Sequence, residues 1–535
     1  MVRPAPRLAG VAELSLHPGR RVQWPWGSLV APALAATLAV VAALAGWRGG
    51  DLPAALYRIS LFHRHGLTLW DSQWYGGHWT LDYSVIFPPL AGVIGLHLTE
   101  IAAVALAAFS FDRLVVEHYG RTARLGSIVF ALGTLVQVAI GQLPFLMGEA
   151  FGLAALWAAT RRRWAVAAVL AAGAALASPL AGAFVGLAVA AWLVAQWPKE
   201  RARLIPMLGA ALVPVAALSL LFPGQGAMPF PFKDFAFELV VFGLALALLP
   251  RTSRVLRIGV GLYLVAFVLA FVLHTPVGGN IERLGEAFGP AVVAVALWPL
   301  RRVLLGLIVV PLVILQWAPA IAAMSRDAVD PTTSEAYFTP LVSYVTAHAD
   351  PPGRVEIVPT LLHWEAAYAA PSVPLARGWE RQLDTADNPI FYTPGALTPA
   401  SYRAWLLTNG VRFVALPDAK LDYAGKAEGQ LVRAGVPGLH LVWHDKHWRV
   451  FSVAGSTGIV SGPVVPVLID GGHVQLDVLK PGPVLVRVRY NTEWSLVSGN
   501  ACLAEDPGGW LRVQAQTAGP LDLQLRLVGA SSHAC

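Results

Sequence analysis

Charge is scarce in this chain. Of its 535 residues only 13% are Asp, Glu, Lys or Arg, 56% are hydrophobic, and the mean hydropathy is +0.58. Ordinary soluble domains carry roughly a quarter charged residues. The composition therefore excludes intrinsic disorder, which needs high charge and low hydrophobicity, and it excludes a water-soluble enzyme of this length. Cysteine is nearly absent, with Cys502 and Cys535 the only two. A disulfide-dense scaffold is ruled out, and no CxxC or Cys/His spacing offers a zinc site. Neither a G-x-S-x-G nucleophile turn nor a phosphate-cradling glycine loop is present. Basic residues exceed acidic ones, 39 against 32, for a net charge of +7. They fall in short clusters between apolar runs rather than on one face, so the excess does not point to nucleic acid.

What is present is a succession of apolar runs through residues 27–325, followed by ordinary globular sequence. A membrane-crossing helix needs about 20 apolar residues. The runs are approximately 27–47, 84–111, 125–142, 144–160, 164–178, 180–197, 204–222, 236–250, 257–274, 288–300 and 303–325. Arg3, Arg7, Arg20 and Arg21 precede the first run and hold the amino terminus in the cytoplasm. Alternate loops then carry Arg113, Arg121 and Arg124; Arg161 to Arg163; Lys199, Arg201 and Arg203; Arg251, Arg254 and Arg257; and Arg301 with Arg302. Every cluster falls on the side predicted to be inside. The expectation is a bacterial plasma-membrane protein with about eleven crossings and an extracytoplasmic tail. Its parts are a cytoplasmic segment 1–26, a membrane domain 27–325 with an outside loop 48–83, an α/β domain 326–460 and a β-sandwich-like domain 461–535.

The outside loop is unusually polar and aromatic. Asp51 follows the first run, Leu52 to His65 has helical spacing, and Trp70, Trp74, Tyr75, Trp79 and Tyr83 crowd together with His63, His65, Asp71, His78 and Asp82. An interfacial belt explains Trp and Tyr at headgroup level; their clustering with acids and histidines points to a polar site at the membrane face. Asp51 also suits a helix N-cap before Leu52-Pro53. Few cations lie outside: Arg48, Arg58, Arg64, Lys233 and Arg283. Glu149 lies inside an apolar run, where an acid is costly and usually functional.

The loop resembles the GT-C superfamily of membrane glycosyltransferases, and more closely the bacterial membrane proteins labelled as 6-pyruvoyl-tetrahydropterin-synthase-related, although no pterin chemistry is visible. The matching elements are Asp51 after the first span, an amphipathic helix, W-x3-W-Y-G-G at Trp70 to Gly77, and Y-x3-F-P-P-L at Tyr83 to Leu90. GQLPFLMGEAFGLAAL at 141–156 and GGNIERLGEAFGP at 278–290 are also similar to that group. The second acid often found beside the first is missing, since Gly49, Gly50 and Leu52 flank Asp51. The resemblance implies an inverting transfer of sugar from a polyprenyl-phosphate donor to a cell-envelope glycan or lipid acceptor. Asp51 would be the base, Arg283, Lys233 and Arg58 would hold the donor phosphate, and His63, His65, Asp71, Trp74, Tyr75, His78 and Tyr83 would form the loop site for the acceptor. It leaves a divalent metal open. Two rival readings are a flippase of lipid-linked glycans, which needs polar groups through the bundle or inverted repeats, and a non-catalytic glycan-binding assembly protein.

In the tail, residues 332–455 mix helix and strand signals: helices at 336–348 and 399–409, strands at 355–358 and 411–416, and a hairpin over 439–453. Beyond residue 463 the alternating segments VQLDV, VLVRVRY, WLRVQAQ and LDLQLRLV predict a β-sandwich. Trp364 with Glu365, and Trp379 with Glu380, combine aromatic faces and carboxylates as carbohydrate contacts do; core tryptophans with flanking ion pairs read the same way. Cys502 and Cys535, both in an exported tail, are expected to pair.

Overall fold

The computed structural model describes residues 26–224, 226–297, 302–527 and 535. The expected cytoplasmic arginines Arg3, Arg7, Arg20 and Arg21, and Arg301, lie outside the described residues. The apolar runs, as far as they are described, are helical, the second of them as two helices. In chain order these are α1 (Val30–Ala45), the loop helix α2 (Leu52–His65), α3 (Phe87–Ile94), α4 (Leu96–Tyr119), α5 (Arg124–Ile140), α6 (Leu143–Thr160) and α7 (Trp164–Ala177). They continue as α8 (Pro179–Ala195), α9 (Arg201–Leu221), α10 (Phe232–Leu248), α11 (Arg254–Val272), α12 (Glu282–Leu297) and α13 (Arg302–Asp327). Proline opens several of them, at Pro53, Pro88, Pro144 and Pro179, where its missing N–H costs nothing.

Among the described residues five helices are long and apolar enough to cross a membrane, or six if the bent pair α3 and α4 counts as one span. That bend departs from the single run expected over 84–111. The chain turns by 116° between the two helices, at Gly95, whose φ of 93° cannot continue a helix. Helices α6 and α7 meet along small residues, with Ala155, Ala158, Ala159, Ala167, Ala171 and Ala174 all buried, which lets the backbones approach closely. The outward faces are the reverse of a soluble protein's, with Leu44 83%, Val169 71%, Leu220 81% and Val272 61% exposed.

The carboxy-terminal region is β-rich. Its first part has helices α14 (Glu335–Ala347), α15 (Glu365–Tyr368), α16 (Arg381–Asp387), α17 (Pro399–Thr408) and α18 (Lys426–Ala434) around one four-stranded sheet. After the short loop strands β1 (Trp70–Asp71) and β2 (His78–Trp79), that sheet is built from β3 (Arg354–Ile357), β4 (Val411–Pro417), β5 (Leu439–His444) and β6 (Trp448–Val453), in the order β3-β4-β6-β5. The β3–β4 pair is parallel and the others antiparallel. Thr398 caps α17 in a reciprocal capping box with Ser401, the expected use of a hydroxyl before a proline-led helix.

Residues 460–525 form two four-stranded antiparallel sheets over one core of Val474, Leu476, Val484, Val486, Leu511, Val513, Leu521 and Leu523. The period-two burial of His473–Val478 and Trp510–Ala515 is what alternating valines and leucines dictate. Trp70 and Trp79 of the 48–83 loop join this core, so the loop is packed into the tail. Cys502 and Cys535 form a disulfide. Alkylation without reductant, read by intact mass, should modify neither cysteine, and two labelled thiols in native protein would refute the pairing.

Candidate functional site

Asp51 is positioned by close backbone packing. Its N–H donates to the Ile140 carbonyl at 3.0 Å, and a Cβ on the nearby Gly49 would lie 2.2 Å from the Ala139 oxygen. Only glycine lets the chain pass there. Asp51 precedes α2 but makes no capping hydrogen bond. Instead Arg283, the second residue of α12, donates from Nη2 to Asp51 Oδ2 at 3.3 Å. The two residues are separated by 232 positions in sequence. Asp51 retains 27% of its side-chain surface but is enclosed by protein around a cavity. That desolvation raises its pKa above the ordinary 3.8, against the opposing pull of Arg283, His363 and a hydrogen bond from Gln142.

The cavity has a volume of about 330 Å³, and its wall includes Asp51, Asp82, Tyr83, Arg283, Trp379 and Glu380. It shares Phe145 with a second, apolar cleft of about 350 Å³. The cleft is lined by Phe184, Phe242, Tyr263 and Phe288 among others and runs along α6 from Phe145 to Leu156, a depth of roughly 16 Å at 1.5 Å per residue. The Arg283 guanidinium carbon lies 5.8 Å from the centre of the Phe145 ring that lines both. Glu149 lines the apolar cleft and accepts from Gln137 Nε2 at 2.6 Å.

The tail completes the polar cavity. Trp379 stacks on His363 with ring centres 3.6 Å apart, and its indole N–H donates to the Gly50 carbonyl at 2.6 Å. Glu380 pairs with Arg58 at 3.2 Å, and its backbone N–H donates to the Tyr75 hydroxyl at 3.0 Å. At Gly378 a Cβ would sit 2.4 Å from Trp74 Cγ, so the tail backbone lies directly on the loop indole. Arg381, next in the wall, donates to Asp422 at 3.0 Å. Burial pushes the Asp82 carboxyl well above 3.8, and the neighbouring Glu380 charge pushes it further, with Arg58 opposing.

No protein-family model matches the chain, and no curated protein is significantly similar to it.

Of the residues expected to act, Asp51, Tyr83, Arg283, Trp379 and Glu380 surround one cavity. Arg58 does not face it as a free cation. It is buried, paired with Glu380, and covered by the Tyr83 ring with 4.0 Å from its guanidinium carbon to the ring centre; a donor phosphate cannot use it without breaking that pair. Lys233 is exposed on the first turn of α10 and lines neither cavity.

The loop residues Asp71, Trp74, Tyr75 and His78 are buried as a plug rather than presented to an acceptor. Asp71 accepts from the Tyr57 hydroxyl at 2.7 Å, and burial lifts its pKa to about 6. Trp74 lies between Tyr57 and His78. Burial, aided by Arg58, lowers His78 to about 3, so it is neutral. His63 contacts the Gly92 carbonyl at 3.0 Å, and His65 faces Asp470 at 3.1 Å; both are exposed and lie away from the cavity. Trp364 is fully buried, and the buried Glu365 accepts from Thr360, so this pair presents no face to a glycan. Sequence reasoning missed Asn280, Gln382 and Arg381 as wall residues, and noted Asp82 without assigning it a role. Arg381 and Gln382 directly follow the Trp379-Glu380 pair, a signal that the whole stretch faces one site.

Proposed function

We propose that this protein is an inverting membrane glycosyltransferase of GT-C type. It transfers a sugar from a polyprenyl-phosphate donor to a cell-envelope glycan or lipid at the outer face of a bacterial plasma membrane. The observation that carries the reading is a polar cavity holding an acid and an arginine beside a deep apolar cleft, with Phe145 lining both. A lipid-linked donor has the same division: a charged phosphate head and a long isoprenoid tail.

Arg283 takes the donor phosphate, as its planar fork suits. The acceptor hydroxyl attacks the anomeric carbon, a new carbon–oxygen bond forms on the opposite face, and the bond to phosphate breaks with its electron pair leaving on the phosphate. Asp51 receives the hydroxyl proton. The desolvation that raises its pKa makes it a better base than a solvated aspartate. Arg283 favours its ionised form at rest and turns to the leaving phosphate during transfer.

About eleven helices cross the bilayer in this reading, with the amino terminus inside and the tail outside. It is supported by the Arg clusters at alternate helix ends and by the apolar outward faces. The test uses membrane vesicles of both orientations, a labelled polyprenyl-phosphate sugar and an impermeant acceptor. Transfer is expected when the vesicles are right-side-out and not when they are inverted. Transfer confined to inverted vesicles, or none in either, contradicts the proposal.

A further inference from the structure

A second acidic cluster lies outside the cavity just described. Glu238 on α10 and Glu282 and Glu286 on α12 each offer a carboxylate oxygen, and these oxygens all lie within 4.8 Å of one another. Glu282 and Glu286 are one turn apart on the same face of α12. Glu238, in the second turn of α10, faces them from the neighbouring helix. The cluster is near the end of both helices that also carries Arg283.

Three carboxylates this close repel one another strongly unless something neutralises them. Among the described residues none of the three lies within ion-pair distance of a Lys, Arg or His, and the Arg283 guanidinium, engaged with Asp51, acts on Glu286 only from farther off. Glu238 is only 3% exposed, yet its Oε2 has no hydrogen-bond partner. Glu282 Oε1 is buried and unpartnered as well. A buried ionised carboxylate oxygen left without a donor is strongly unfavourable in an apolar setting. Two such oxygens on members of one cluster leave a place for a common partner.

We propose that Glu238, Glu282 and Glu286 bind one hard divalent cation of the Mg²⁺, Mn²⁺ or Ca²⁺ class. All-oxygen carboxylate ligation suits these ions and not the soft metals. With metal–oxygen bonds of about 2.1–2.5 Å, oxygens on opposite sides of the ion are separated by about 4.2–5.0 Å, which the observed spread accommodates. The ion neutralises the trio and ties α10 to the start of α12. Because Arg283 sits between Glu282 and Glu286 in sequence, the same ion fixes the turn that aims Arg283 at Asp51. The site is separate from Asp51 and does not depend on the reaction proposed above.

The test is a titration of the purified, metal-stripped full chain in detergent with Mn²⁺, followed by the loss of the free-ion electron paramagnetic resonance signal. One Mn²⁺ per chain is expected, displaced by excess Mg²⁺ or Ca²⁺. Glu238→Gln should weaken it at least about tenfold, and Glu286→Gln, at a less buried position, should also weaken it. Asp51→Asn should leave the stoichiometry at one. Size-exclusion elution identical to wild type establishes which variants are folded, and Glu286→Gln carries the test if Glu238→Gln fails it. No bound Mn²⁺ in the wild type, wild-type affinity in a folded glutamate variant, or loss of the ion in Asp51→Asn would each overturn the assignment.

Discussion

Asp51→Asn is expected to reduce glycosyl transfer by about 10²-fold or more while donor binding persists. Asparagine keeps the shape of the side chain and its contact range to Arg283, but it cannot accept the acceptor proton. Its loss therefore falls on turnover. The pH profile gives an independent readout. The base must be ionised, so the wild-type rate falls as pH drops through the pKa of Asp51. Desolvation places that pKa above the ordinary 3.8, and the acid limb should lie correspondingly higher than for a solvated aspartate. In Asp51→Asn this limb should vanish from whatever activity remains. Unchanged turnover, or an unaltered acid limb, would remove Asp51 from the chemistry.

The second large effect concerns stability. Arg377→Met should destabilise the tail by about 3–5 kcal/mol, the range seen when one partner of a buried ion pair is removed. Arg377 is fully enclosed and donates to Asp384 at 2.6 and 2.9 Å and to Glu428 at 3.1 Å, with Glu356 at 3.7 Å. Burial alone would raise the Asp384 carboxyl, but Arg377, Tyr392 and Asn388 outweigh it and hold it below 3.8. Methionine fills much of the volume but leaves three acids facing one another in the core. The next residues, Gly378 to Gln382, form the tail's wall of the cavity, so local unfolding should also abolish transfer. Denaturant unfolding with limited proteolysis between α16 and the sheet reads the first effect, and the transfer assay the second. Arg377→Lys should be intermediate, because it keeps the charge without the two-pronged bond to Asp384. A midpoint unchanged in Arg377→Met would show that the network is not what holds this region.

How much of this was legible in the sequence differs by length scale. Helix α2, helix α17 and the alternating strands of the sandwich follow from local periodicity, and they occur where the pattern puts them, although Asp51 does not cap α2 as its position suggested. Asp51 was identifiable from the resemblance of its loop, and Arg283 because cations away from the expected cytoplasmic clusters are few. Their direct contact at 3.3 Å was not, since it depends on α12 packing beside α5, whose Ile140 carbonyl holds the Asp51 backbone. Arg58 shows the limit most clearly. As a loop arginine it read as a phosphate ligand, but its partner Glu380 lies 322 residues away, and no local pattern announces that pairing. The Trp70–Tyr83 stretch read as an acceptor surface because aromatic and polar residues in a loop resemble one. The tail instead lies on top of it, turning Trp74 and Tyr75 into a buried joint. Trp364 was misjudged for the same reason: a tryptophan beside an acid looks alike in sequence whether its face is open or packed.

The identity of the lipid held by the protein tests the central claim most directly. Native mass spectrometry of gently purified full-length protein, followed by extraction and fragmentation of the released lipid, should find a polyprenyl phosphate or its glycosylated form. That lipid should be strongly depleted in Arg283→Ala, since a charged hydrogen bond to phosphate is worth about 1.5–3 kcal/mol, roughly 10- to 150-fold in affinity. Recovery of bilayer phospholipids alone, or a polyprenyl phosphate retained equally in Arg283→Ala, would contradict the account.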